Sequence, residues 1–329
     1  MRKSTLLVLL AGAGWPLWAS LGAPRPDIVI NDVAVYPESM SAASDGTVYI
    51  GSIKGIVFRA AARSAHADPW ILPTPENGLL SLLGVLTDER SNTLWVCSSP
   101  NPFRSPPAVG TAALVAFDLK RGTRRASYPF PAPASVCNDI TVASDGTVYA
   151  TDTPNGRIFR LARGTHELAP FAEDPRLKGI DGIVFGGDGT LYLNIVTRNQ
   201  LMRIERTVDG KFSGLTELTL SQPVGAPDGF RLIRGHRFLL AEGSAGRIDE
   251  VTIEGDRAAI RPLREGLIQP PAVTYDGKYV FTTFSGFQRL ASGICVINAM
   301  TDEHIGYLID PKLKGQDPGP FKAYAVPLD

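Results

Sequence analysis

The sequence predicts an all-β chain: a six-bladed β-propeller with four-stranded antiparallel blades around a central channel. Three observations predict it. A hairpin phrase recurs along the chain, its copies recur with a period mostly in the forties, and helical or Leu-rich repeats are absent.

The clearest copy is Asn138 to Leu161, NDITVASDGTVYATDTPNGRIFRL. Alternating residues run to an Asp-Gly turn, climb through Thr147-Val148-Tyr149-Ala150, turn again at Asn155-Gly156 and close on Ile158-Phe159-Arg160-Leu161. Period-2 alternation broken by Asp-Gly and Asn-Gly is a strong short-range signal for antiparallel hairpins. The phrase returns from Glu38, Asp181 and Asp228, with weaker copies around Asp88 and Asp276. With Asp45, Asp88, Asp145, Asp188, Gly235 and Asp276 as equivalent turn positions, the spacings are 43, 57, 43, 47 and 41 residues. A period in the forties with several short strands per unit is that of propeller blades, which must pack radially because one blade cannot bury both faces.

The connections follow the same reading. Asp27 to Val35 (DIVINDVAV) is an early strand that could complete the last blade and lock the ring, and the C-terminal FKAYAVPL could do so instead. Pro-rich Pro100 to Val109 accounts for the long second spacing and reads as a loop on one face of the disc. Pro129 to Pro133 is a shorter connector, and Asn77 to Leu86 could hold a short helix. The aspartates at the turns are read as turn formers.

The N-terminal 1–22 reads as a signal peptide: Arg2 and Lys3 precede an apolar run, and small residues follow up to Ala23. The alternative is an uncleaved anchor, for which the run is short and interrupted by Pro16. Residues 23–329 then form a single propeller domain, exported to the periplasm or the extracellular space, with no membrane contact after cleavage. Lys plus Arg and Asp plus Glu balance at 33 each, so no basic footprint for nucleic acid exists. The three cysteines, Cys97, Cys137 and Cys295, allow one bridge and one free thiol, and their strand-like surroundings favour buried thiols.

Equivalent positions in a repeat lie at equivalent places around the axis. Seven residues before each turn stand Glu38, Ser81, Asn138, Asp181, Asp228 and Gln269, with apolar residues close behind. The expectation is a ring of oxygens at one mouth of the channel. Carboxylates and amides converging there repel one another unless a cation lies between them, and an all-oxygen set suits Ca2+ or another hard divalent cation. Glu38, Asn138, Asp181 and Asp228 are the expected metal ligands. The alternative is that they cap strands or hold Asx turns beside Gly182 and Gly229. Asp139 and Asp152 are read as supporting hydrogen-bond partners.

These residues resemble the gluconolactonases, senescence marker protein (regucalcin) and their bacterial relatives. The likeness is carried by Pro-Glu-Ser at Glu38, Cys-Asn-Asp at Asn138, Asp-Gly at Asp181 and Pro-Asp-Gly at Asp228. The resemblance implies a six-bladed calcium-dependent propeller whose Glu, two Asn and Asp hold one divalent metal, the last Asp also serving as general base in lactone hydrolysis. Asp181 departs from it, since the family usually has Asn there. The implied function is an exported metal-dependent hydrolase of a sugar lactone or related cyclic ester, with a small-molecule substrate and Asp228 as base. Two alternatives stand beside it: a non-catalytic binding propeller stabilised by a metal, and a metal-independent enzyme resembling strictosidine synthase that uses a channel acid such as Glu242.

Overall fold

The structure, a computed structural model, describes residues 27–30, 36–100, 110–267, 269–277 and 279–283, together with the backbone of the strands Val296–Asn298, Glu303–Gly306 and Phe321–Pro327. The expected signal peptide, nearly all of the Pro100 to Val109 loop and Cys295 lie outside the described residues. The all-β class holds: the described helical content is one 3-10 turn, Pro175–Leu177. The region from Asn77 is a turn leading into the strand Ser81–Asp88, so the short helix expected there does not form.

The local signals act as the sequence suggests. In three of the Asp-Gly turns the aspartate Oδ1 accepts the N–H two residues on: Asp45 from Thr47 at 2.8 Å, Asp145 from Thr147 at 2.8 Å and Asp188 from Thr190 at 2.9 Å. The glycine between them is left-handed each time, with φ of 85°, 89° and 81° at Gly46, Gly146 and Gly189. Side-chain capping plus a residue free to adopt positive φ fixes the turn and hence the strand register.

Three of the sheets are four-stranded antiparallel meanders, built from Ser81–Asp88 through Arg124–Pro129, Cys137–Val142 through Ala169–Glu173, and Ile180–Phe185 through Phe212–Glu217. A further meander, Pro227–Arg234 through Arg257–Arg264, gains a fifth strand because Thr219–Leu220 pairs in parallel with its outer edge. Buried clusters lie between neighbouring sheets. Trp95, Leu114 and Phe130 of one sheet pack with Ile140, Ala150 and Phe159 of the next, and Tyr149 and Ile158 with Ile183 and Leu193 of the one after. Each blade thus buries its two faces against its neighbours, which is what closes the ring.

The blade count corrects the expectation: among the described residues the ring is a propeller of five blades, not six. The sixth repeat does not form a sheet of its own. Its strands Val273–Tyr275 and Tyr279–Thr282 pair with Phe321–Pro327, which pairs with Ile28–Ile30. That short strand also pairs in parallel with His66–Ile71, through Val29 with His66 and Ile30 with Ala67. Hydrogen bonding therefore runs across the boundary where two blades should separate, and eight strands form one continuous sheet. Both chain ends take part, so the two closures entertained from sequence are one closure.

A disulfide joins Cys97 on Thr93–Ser99 to Cys137 on Cys137–Val142, with Cα atoms 5.1 Å apart. It corrects the expectation of buried thiols. Two strand residues from adjacent blades face each other across the interblade core, a pairing that spacing of 40 residues in sequence does not reveal.

Candidate active site

The pairing of the innermost strand slips near its start in each blade, and a second time further along in the last meander. The shifts near the start lie between Pro37 and Ser39, Leu82 and Gly84, Cys137 and Ile140, Ile180 and Ile183, and Pro227 and Phe230. A bulge turns a side chain out of the pleat and re-aims it. The residues inside these shifts include Glu38, Asn138, Asp139, Asp181 and Asp228. The second blade instead places Leu83 there, while Ser81 pairs regularly with Ser99 at the start of its strand. Ser81 therefore does not occupy the equivalent place.

The chain is also bent at the approach to three of these positions. Two residues before Glu38, Asp181 and Asp228 stand Tyr36, Gly179 and Ala226, with φ of 48°, 83° and 48°. Left-handed backbone at Tyr36 and Ala226 costs about 1–2 kcal/mol each, and strain of this kind collects at functional sites. Glycine after Asp181 is required by close approach: a Cβ on Gly182 would lie 2.7 Å from the Phe230 Cβ and 2.5 Å from the Asp228 carbonyl oxygen. The Asp-Gly pairs here serve packing between innermost strands, whereas those at the turns serve chain reversal.

The structure brings the four sequence-selected residues together. Asp181 lies within side-chain hydrogen-bonding reach of both Asp228 and the Asn138 amide. Glu38 lies within electrostatic reach of Asp181 and Asp228. Asn138 is further held by Thr153, to whose Oγ1 its Nδ2 donates at 2.9 Å. Burial, followed by the neighbouring carboxylate of Asp139, pushes the Asp181 carboxyl up to about 7. Burial likewise holds Glu38 and Asp228 well above the ordinary carboxylate range, with Asp181 the next cause in both. Like charges crowded away from water cannot all ionise without a counter-ion.

Sequence reasoning missed Arg231. Its Nη1 and Nη2 donate to Asp139 Oδ2 and Oδ1 at 2.7 and 2.8 Å, a bidentate pair with Arg231 11% and Asp139 7% exposed in their side chains. Asp139 Oδ2 also accepts the Ile183 N–H at 2.9 Å. The available signal was a cationic residue between Phe230 and Leu232, on a strand that alternation assigns to the channel. Asp152 and Glu242 are placed elsewhere. Asp152 accepts the Val136 N–H at 3.0 Å and pairs with Arg157 at 2.7 Å. Glu242 pairs with Arg247 at 3.0 Å beside Asp249. Both acids are fully buried and spent on locking a strand end, so Glu242 is committed to an ion pair outside the ring.

A cation would find three carboxylates and an amide here, an all-oxygen set suited to a hard divalent ion. The set is not preassembled: among the described residues, no group of three or more His, Cys, Asp or Glu is arranged as a ready metal site.

No protein-family model matches the sequence, and comparison with curated proteins gives no match. Solved structures do match. A gluconolactonase from Xanthomonas campestris superposes with a TM-score of 0.59 at 16% identity, covering 90% of this chain and 88% of that one. It is the propeller fold that is shared. A catalytically inactive histidine-to-alanine variant of virginiamycin B lyase from Staphylococcus aureus, with quinupristin, gives 0.56 at 14% identity over 92% and 98% of the two chains. A nidogen/laminin complex gives 0.54 at 16% identity over 82% and 95%. At these identities the likeness speaks for fold alone, and two of the three neighbours are enzymes.

Proposed function

We propose that the protein is an exported, metal-dependent hydrolase of lactones or related cyclic esters. The observation that carries this reading is the gathering of Glu38, Asn138, Asp181 and Asp228 by bulges in four innermost strands. A divalent cation, calcium by donor chemistry, would be held by these four and would supply Lewis-acid polarisation of an ester carbonyl. The chain's own residues do the rest. Asp228, partly exposed where Asp181 is buried, would take a proton from an attacking water. Asn138, anchored on Thr153, keeps its amide fixed. Asp181 would add charge to the ring beside Asp228. No nucleophilic side chain is needed.

A lyase reaction is the second reading, since virginiamycin B lyase is among the structural neighbours. That enzyme loses activity with a histidine; the ring here is made of carboxylates and an amide, which favours hydrolysis. The disulfide between Cys97 and Cys137 supports export, because structural disulfides belong to oxidising compartments.

A panel of sugar lactones and aryl esters, assayed with and without chelator, tests the proposal. Hydrolysis that disappears with chelator and returns with calcium is expected. Turnover indifferent to chelator, or an alkene product in place of the hydroxy acid, contradicts it.

A further inference from the structure

Three of the four innermost strands that carry the ring are joined by a single acidic side chain. Asp139 follows Asn138 on the strand Cys137–Val142. It accepts the Ile183 N–H, two residues beyond Asp181 on Ile180–Phe185. It also accepts both terminal nitrogens of Arg231, three residues beyond Asp228 on Pro227–Arg234. Arg231 Nη1 in turn donates to the Phe230 carbonyl at 2.9 Å. One carboxylate thus meets all three strands that bear Asn138, Asp181 and Asp228.

The bulges make such a tie necessary. Where the register slips, the strand loses regular ladder hydrogen bonds, and its side chains are no longer fixed by the sheet. A two-pronged guanidinium on a carboxylate defines distance and plane together, which an ammonium cannot do. Burial keeps the pair out of competition with water and salt. On its other side Arg231 helps to line a chamber of about 510 Å³ at the far end of the channel, together with Ser41, Thr87, Thr141, Val184 and Thr274. It therefore stands between that chamber and the ring.

We propose that Arg231 is a positioning residue: its fork on Asp139 ties three innermost strands at the register that lets Asn138, Asp181 and Asp228 share one cation. This rests on the cation-site reading above. It differs from a simple charge effect, in which removal of a positive group beside the ring would tighten cation binding.

The test compares full-length wild type with Arg231→Lys, which keeps the charge and loses the fork, and with Arg231→Met and Asp139→Asn. Two quantities are read at a temperature where circular dichroism shows each variant folded. They are calcium affinity by calorimetry, and hydrogen exchange of the Ile183 amide with chelator present. The tie predicts that Arg231→Lys weakens calcium binding at least tenfold and speeds Ile183 exchange at least tenfold, with Asp139→Asn behaving alike. Wild-type affinity and protection in Arg231→Lys overturn the tie, and so does tighter calcium binding by Arg231→Met. A wild type that binds no calcium, while Ile183 exchange still rises in Arg231→Lys, overturns the cation reading and leaves the tie standing.

Discussion

The carboxyl groups of Asp181 and Asp228, from adjacent innermost strands, lie within hydrogen-bonding reach of each other. Two carboxyl groups buried this close together are expected to share a proton unless a cation lies between them. A divalent ion bound there would compete with that proton for the same oxygens.

Cation binding should release protons. With Asp181 pushed up to about 7, apparent calcium affinity is expected to rise from pH 6 to pH 8. Calorimetry in two buffers of different ionisation enthalpy would show about one proton or more released per ion at pH 6.5. Affinity that is flat over this range contradicts the shared proton.

Stability should also depend on pH, with a definite sign. Burial, then hydrogen bonding and charge from Glu242, pushes the Asp249 carboxyl up to about 8. Its pKa in the unfolded chain is about 3.9. A carboxyl raised on folding contributes fully below the unfolded value, and the contribution is lost as pH rises toward the folded one. Metal-free protein should lose stability between about pH 4 and 8. Asp249→Asn, which mimics the protonated form, should flatten the upper part of that loss in thermal melts from pH 6 to 9. An unchanged slope in that variant would show that Asp249 is ionised in the native state.

Removal of the disulfide should cost about 2–4 kcal/mol. The Cys97–Cys137 bridge closes a segment of 40 residues and joins two blades beside Asn138. Urea unfolding of wild type against Cys97→Ser/Cys137→Ser, both without reductant, checks this through the shift in midpoint. Equal midpoints would show that packing alone fixes this blade interface.

Gly182→Ala should be disruptive beyond ordinary helix or strand propensity. The added Cβ meets the Asp228 carbonyl and the Phe230 Cβ, neither of which can move without shifting the neighbouring innermost strand. A loss of about 1–3 kcal/mol in stability is expected from overpacking of this kind, along with weaker calcium binding. Gly189→Ala, with no atom within 4 Å of its Cβ, is the control: strain at its φ of 81° should lower stability without touching the ring.

Much of this architecture was legible in the residues, for identifiable physical reasons. Turn chemistry is local, so Asp45, Asp145 and Asp188 could be read as turn formers from their own neighbours. Repetition made Glu38, Asn138, Asp181 and Asp228 stand at one offset, and the bulges place their carboxyl and amide groups together. The number of blades was not legible. It depends on whether Ile28–Ile30 pairs with one sheet edge or two, a long-range choice that no hydrophobic pattern records. Ser81 misled because an apolar residue, Leu83, sits at the bulge of its blade. The ion pairs around Asp139, Asp152 and Glu242 were hidden for a different reason: each acid's role is set by an arginine, and only the folded geometry shows which one.

The most direct measurement is a calorimetric calcium titration of wild type beside Glu38→Gln. One calcium per chain is expected in wild type and at least tenfold weaker binding in the variant, with both proteins folded. Equal affinity in the two, or no calcium bound by wild type at pH 8, would contradict it.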